Sequence, residues 1–545
     1  MKSILYLTNL IVNCNLHLLG LESGAMGNQT NRREPSVVVI GSGFGGLAAA
    51  IRLLVKGYRV TVLERLDRPG GRAQVFHQDG FTFDARPTIV TAPFLLDELW
   101  ALTGRRFSDD VELVPMTPFY RIRFHDGDHF DYFGDPIRMR EEVKRLSPED
   151  LDGFERFMQE AERCYVKGYE ELGTVPFETV GELLSSIPAM VEMKAWQSIF
   201  QMAKRHFRSH KLQQVFSFHP LLIGGNPLTV TCVYSLIPAL ERRYGVHSAM
   251  GGTGAIVQAM VRLIQDLGGE VKLASEVKQI LVSDQKVRGI ELQSGQTLAA
   301  DLVVSNADAA NTYRRLMPSV KRKTWTDQKL ARSAYSMGLF VWYFGTTRRY
   351  EDLPHHQILM GPRYEGLLRD IFQRKVLSQD FSLYLHRPTA TDPGLAPAGC
   401  DAFYVLSPVP HLDGGLNWAE QAPRYRDAIC RQLEETVCPG LSQSIVTSRW
   451  MTPPDFEMDY MAYKGAAFGM EPRLLQSAWF RPHNRSEEIE NLFMVGAGTH
   501  PGAGIPGVLT SAKAFDAMIP QAHQWPGGRS KRVAPTAVAS GLVKA

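Results

Sequence analysis

Val37 to Ile40 form a short unbroken apolar run, the pattern of a strand buried on both faces. Leu47 to Val55 follows with helical spacing and stops at Gly57, a residue suited to a helix C-cap. Arg59 to Leu63 then returns to a strand pattern, so the segment predicts a β-α-β unit. Further on, Gly251 to Val282 reads as a helix with Ile256, Met260, Leu263 and Ile264 on its apolar side, followed by strands. Leu298 to Asn306 predicts another buried strand, and Asn491 to Val495 one more, with a helix expected from about Gly507. Thr91 to Leu236 is mostly helical in pattern, whereas Tyr313 to Lys464 carries strand-like stretches such as "GLFVWYFG" and "DAFYVLSPVPHL".

A chain of 545 residues is long for one core and suggests two or three domains with room for a sizeable buried site. Hydrophobic residues at 44% and charged residues at 21% fit an ordinary globular protein, and a net charge of +3 without long basic runs gives no footprint for nucleic acid. The six cysteines, Cys14, Cys164, Cys232, Cys400, Cys430 and Cys438, form no C-x-x-C pair, so free thiols in a reducing compartment and no metal site are expected. No stretch reaches the ~18 to 20 apolar residues of a spanning helix. The N-terminal "MKSILYLTNLIVNCNLHLLGLESGA" has signal-peptide features, yet Asn9, Asn13 and Asn15 interrupt its apolar core, and Met26 is the preferred start.

The loop after the first run supplies the chemistry. Gly41, Gly43 and Gly46 fill G-x-G-x-x-G between strand and helix, and Glu64 closes the second strand, as an acid that bonds a ribose hydroxyl does. With every part in register, this is a dinucleotide site. A second glycine cluster, "VGAGTHPGAGIPGVLTSAK" from Val495 to Lys513, lacks the Gly-Lys-Ser/Thr ending of a triphosphate loop.

The continuation "RPGGRA", with Gly70, Gly71 and Arg72, resembles the extended fingerprint of FAD-binding proteins of the amine oxidase and carotenoid desaturase superfamily. From Ser36 to Gln521 the chain resembles bacterial-type phytoene desaturases, through "GFTFDARPTIV", "TPFYR", "LGTVPF", "FSFHPLLIGGNP", "SAWFRPHNR" and "NLFMVGAGTHPGAGIPGV". The resemblance implies an α/β fold with a Rossmann-type FAD-binding domain discontinuous in sequence, a mixed-sheet substrate domain and a helical membrane-facing subdomain. The expected divisions are an extension over 1–35, FAD-binding parts over 36–90, 237–312 and 465–522, the helical subdomain over 91–236, the substrate domain over 313–464 and a disordered tail over 523–545.

The resemblance also implies roles. Gly41, Gly43, Phe44, Gly45, Gly46, Glu64, Arg65, Gly70, Gly71 and Arg72 would hold the dinucleotide end of FAD, with Arg72 on the pyrophosphate and the Val277 backbone against the adenine, although Val277 equally suits an ordinary edge strand. Gly496, Gly498 and Gly504 would let backbone lie against the flavin, and Ile505, Pro506 and Val508 would open a helix aimed at its pyrimidine edge. Family members usually have glycine where this chain has Arg86, a change that would reshape the substrate channel or impair activity.

The implied reaction removes hydride from an allylic methylene of phytoene to flavin N5 and a proton from the neighbouring carbon, in successive steps toward lycopene or neurosporene. A quinone or molecular oxygen would then reoxidise the flavin. Glu182 is the candidate proton acceptor or cation-stabilising carboxylate, against the plainer reading of a surface helix residue. His219, His355, His356 and His500 read as structural. The stretch from Met190 to Lys211 gathers Trp196, Ile199, Phe200, Ala203 and Phe207 on one helical face, a pattern shared by helices lying on a membrane and helices packed on a core. Alternative functions are desaturation of another polyene, an amine oxidase, and a non-redox isoprenoid escort protein.

Overall fold

The run Ser36–Ile40 is the central strand of a five-stranded parallel sheet, flanked by Leu302–Ser305 and Leu492–Met494 on one side and by Arg59–Leu63 and Glu270–Lys272 on the other. Alternation along this strand divides the domain into two cores. Val37 and Val39 pack with the helices Phe44–Val55, Thr253–Asp266 and Ile505–Met518, while Val38 and Ile40 pack with Val277, Ile280 and Ile290 of a three-stranded antiparallel sheet. The structure, a computed structural model, describes residues 33–526. Met26, Cys14 and the tail beyond Pro526 lie outside the described residues.

The apolar stretch from Leu298 to Asn306 is not one strand. Thr297–Ala299 belongs to the antiparallel sheet and Leu302–Ser305 to the parallel one. The chain changes sheets at Ala300 and Asp301, where the Asp301 carboxylate accepts from the backbone N–H of Ser36 at 2.7 Å and from its hydroxyl at 2.9 Å.

A seven-stranded mixed sheet packs on the same main core, in the order Ile445–Met451, Gly338–Thr346, Asp401–Val409, Leu383–His386, His356–Leu359, Tyr120–Arg123 and His129–Tyr132. "GLFVWYFG" is fully buried because both faces are covered: Phe340, Trp342 and Phe344 pack with residues of the helix Trp418–Thr436, while Leu339, Val341 and Tyr343 join the main core. Two of the seven strands come from the segment whose pattern reads as mostly helical, and Leu113–Pro115 pairs with His247–Ala249.

The expected helix from Met190 to Lys211 is broken. Val180–Glu192 ends before Lys194, which turns with φ +53, and Ser198 starts a new helix, Ile199–His206, through a capping box with Gln201. Ile199, Phe200, Ala203 and Phe207 are buried, so the core-packed reading holds for them, whereas Trp196 sits outside both helices and is 62% exposed. Among the described residues no helix is long and apolar enough to cross a membrane.

Candidate functional site

The two glycine clusters meet across one side chain. A Cβ on Gly43 would lie 2.7 Å from Asn306 Oδ1, and one on Gly45 would lie 3.0 Å from Gly496 Cα. Asn306 itself donates from Nδ2 to the carbonyl oxygen of Val495 at 3.1 Å. It follows the strand Leu302–Ser305 directly, so three adjacent strands deliver the first loop, the asparagine and the last loop to the same sheet edge. Asn306 was not singled out from the sequence; its only signal is its place at the C-terminal end of a parallel strand beside two glycine loops.

Two helices begin at this edge without side-chain caps. Phe44–Val55 starts at Gly43 and Ile505–Met518 at Gly504, and neither Ncap residue bonds the first-turn N–H groups through a side chain. Their unpaired donors and dipoles suit anionic groups. Gly504, at φ +93, takes a backbone conformation that side chains rarely adopt.

Glu64 is buried and holds the first loop closed: one carboxylate oxygen accepts from the Ser42 N–H at 2.9 Å and hydroxyl at 2.7 Å, the other from the Leu66 N–H at 3.0 Å. Gly70 and Gly71 fold against it, the Gly70 N–H reaching the Ser42 hydroxyl at 3.1 Å. Arg72 follows, its Nε without a protein partner; burial lowers its pKa and raises that of Asp308, each countered by the charge of the other. Arg65 donates to the carbonyl oxygens of Met458 and Asp459.

These residues open on one cavity of about 450 Å³. Every sequence-derived cofactor residue lines it except Gly46 and Gly496. Gly46 is needed for packing, since a Cβ there would meet the Gly41 carbonyl oxygen and Asn306. Gly496 stands behind the Asn306 amide, where a Cβ would meet Nδ2, while its neighbours Ala497 and Gly498 line the cavity.

The rest of the lining is largely aliphatic and aromatic: Leu221, Leu222, Ile223, Leu236, Ile237 and Leu240, with Tyr169 and Phe177, and Ile223 lies against Gly504. Arg86 also lines the cavity. Its guanidinium lies 5.0 Å from the Phe456 ring centre and 4.9 Å from that of Phe468, with Nη1 unpartnered and Nη2 donating only to the Ala467 carbonyl at 3.5 Å. Burial pulls its pKa down to about 10.

Glu182 has a different task from the expected one. Its carboxylate accepts the Thr179 N–H at 2.8 Å while Thr179 caps the Glu182 N–H, so it closes a capping box at the start of Val180–Glu192 and is not part of the cavity wall. Among the histidines, His500 lines the cavity, and His355 and His356 meet His386, a residue the sequence did not single out, with one nitrogen of each ring within 4.8 Å of the others. The pairing that joins them is the strand register His356 to His386, which local sequence does not reveal. The described cysteines are all free thiols.

Residues 44–514 match the family of flavin containing amine oxidoreductases. The phytoene desaturase (neurosporene-forming) of Rhodobacter capsulatus is 49% identical over 491 residues, covering 89% of this chain and 94% of the relative. The phytoene desaturase (lycopene-forming) of Pseudescherichia vulneris is 48% identical over 483 residues, covering 88% and 98%. Among solved structures, cyclohexylamine oxidase from Brevibacterium oxydans IH-35A superposes with a TM-score of 0.56 at 16% identity, covering 89% of this chain and 99% of that one.

Proposed function

The chain belongs to the flavin containing amine oxidoreductases, among the bacterial phytoene desaturases, and from that premise we propose that it dehydrogenates phytoene stepwise to neurosporene or lycopene at the cavity described above. The observation that carries this reading is the continuity of one cavity from a dinucleotide cradle to an apolar lining. A hydrocarbon polyene offers no ionisable group, so binding rests on burial of apolar surface at about 25 cal/mol per Å² and on shape.

The cofactor is FAD, which when bound supplies the two-electron acceptor. The residues present fit it: a glycine cradle that side chains would fill, two uncapped helix starts and an arginine with an unpartnered nitrogen. In this reading the Phe44–Val55 helix start and Arg72 hold the pyrophosphate, Glu64 the ribose and the Val277 backbone the adenine. The Ile505–Val508 turn would hold the flavin end. The aliphatic wall orients the chain and keeps water from the reacting carbons, where a developing cation would otherwise be trapped.

The way in runs past the helix Val180–Glu192. Ser186 and Met190 on its inner side line the cavity. Its outer side presents Val180, Leu184, Ile187 and Val191, spaced by four, three and four residues and 45 to 59% exposed, continued by Trp196. A membrane-embedded substrate accounts for an apolar stripe turned outward at that place. In this reading the helix Val180–Glu192 is the membrane-facing part of the 91–236 segment, and a quinone or molecular oxygen would reoxidise the flavin.

Expression in a colourless bacterium that accumulates phytoene, followed by chromatography and absorbance of the pigments, tests the function. Coloured polyenes are expected, and their conjugation length counts the steps. Unchanged phytoene alongside folded, FAD-loaded protein would overturn the proposed substrate.

A further inference from the structure

Each double bond formed releases a proton into the cavity. Where that proton goes follows from a hydrogen-bonded chain that starts on the cavity wall. Thr88, Tyr384 and Tyr404 all line the cavity and are almost wholly buried. The Tyr404 hydroxyl lies 3.1 Å from Thr88 Oγ1, which lies 2.9 Å from the Tyr384 hydroxyl, and that hydroxyl is 2.7 Å from His356 Nδ1.

The direct hydrogen bonds from the cavity wall end at His356, and two more imidazoles stand beside it. His356 Nε2 has no protein partner, and one nitrogen of each ring in the trio His355, His356 and His386 lies within 4.8 Å of the other two. His355 Nε2 stands 2.9 Å from His386 Nε2, and His355 Nδ1 stands 2.6 Å from Thr391 Oγ1, on a residue that reaches partly into solvent. An imidazole that takes a proton on one nitrogen can release one from the other, and a water bonded to the unpartnered His356 Nε2 would join that ring to the His386–His355 pair.

A metal ion is the competing occupant of three histidines, and the surroundings argue against it. Two nitrogens only 2.9 Å apart share a hydrogen between them, no carboxylate belongs to the cluster, and the nearby Arg387 adds positive charge.

We propose that Tyr404, Thr88, Tyr384 and His356, continued by the His386–His355 pair to Thr391, form a relay that carries the proton of each desaturation from the cavity to the surface. The inference rests on the reading of this cavity as a polyene desaturase. In balanced form, one carbon loses hydrogen with two electrons as hydride to the flavin. Its neighbour loses a proton to the Tyr404 oxygen, and the C=C bond forms from the electron pair left behind. The Tyr404 hydroxyl passes its own proton to Thr88, and so on to His356 Nδ1. The carbon acid is a carbocation neighbour, so weak bases suffice, and a buried imidazole kept neutral is adequate. Glu241, also buried on the cavity wall and bonded by Tyr120 at 2.7 Å, is the rival acceptor.

The test uses FAD-loaded full-length protein and phytoene in liposomes, with polyene formation followed in H2O and D2O. If the unaltered protein forms no polyene, the desaturase reading falls, and the relay falls with it. If it is active, Tyr384→Phe and His356→Gln are each expected to slow turnover by about tenfold or more. The double variant should be no slower than the slower single, because both cut one path. Thr88→Val should match them while Thr88→Ser keeps turnover and its solvent isotope effect, a rescue that mere packing would not give. Flavin content and thermal midpoint are measured alongside. Normal turnover in Tyr384→Phe and Thr88→Val overturns the relay, as do single effects that multiply in the double variant; loss of turnover confined to Glu241→Gln would assign the proton to that carboxylate instead.

Discussion

An added methyl group at Gly46 would meet the Gly41 carbonyl oxygen, backbone that cannot swing aside. Gly46→Ala is therefore expected to separate strand from helix, and protein purified from that variant should carry little FAD and unfold several degrees lower, by about 1 to 3 kcal/mol; flavin absorbance and a thermal melt check it. Arg72→Ala should keep the fold and weaken FAD binding by about tenfold to a hundredfold, the worth of hydrogen bonds to a charged group, read by titration of the apoprotein. At Arg86 the guanidinium occupies cavity space without an ion-pair partner. Arg86→Gly should enlarge the substrate end and raise pigment yield with FAD content unchanged; a lower yield would mean that the cation serves the reaction. The glycines, Glu64 and Arg72 were legible because each answers a local backbone or charge demand within one β-α-β unit. Asn306, Tyr384, Tyr404 and His386 were not, since each acquires its neighbours only through tertiary packing and strand pairing with segments distant in sequence.

Helices and strands repeat that lesson at larger spacing. Periodicity located an apolar face between Met190 and Lys211 but could not say what covers it. Core residues cover it, after a break at Lys194, and the outward apolar stripe belongs to the preceding helix, Val180–Glu192. Leu184→Glu with Ile187→Glu is expected to reduce flotation with anionic liposomes severalfold while FAD content stays constant; undiminished flotation would place the membrane contact elsewhere. The parallel strands were readable because burial on both faces demands unbroken apolar runs. The last two strands of the mixed sheet, Tyr120–Arg123 and His129–Tyr132, alternate polar and apolar residues over only four positions each, too short a span to stand out within a helical segment.

For the whole molecule, buried histidines set the acid side of stability. Burial lowers His355 to about 3, His411 and His500 to about 4, and His356 and His386 well below their usual range. Unfolded, these rings take protons below about pH 6.5, so the unfolded chain binds more protons and stability falls as pH drops through that window. Asp84, raised to about 6 by burial despite bonds from the Thr253 and Gly254 N–H groups, works the other way between its unfolded value and pH 6. Glu160 acts only lower down: His206 and Arg205 outweigh its burial and hold it at about 2, so its support is lost as pH falls from the ordinary carboxylate range toward that value. The thermal midpoint should thus decline from pH 7 to pH 5, less steeply in His355→Gln, as circular dichroism melts across that range would show. All of this surrounds one claim, that a single cavity brings a flavin and a polyene together. Its most direct test is anaerobic mixing of the FAD-loaded protein with phytoene, following flavin bleaching and polyene absorbance together. One flavin reduced for each double bond formed is expected; bleaching without polyene, or phytoene and oxidised flavin persisting side by side, would rule out a shared cavity.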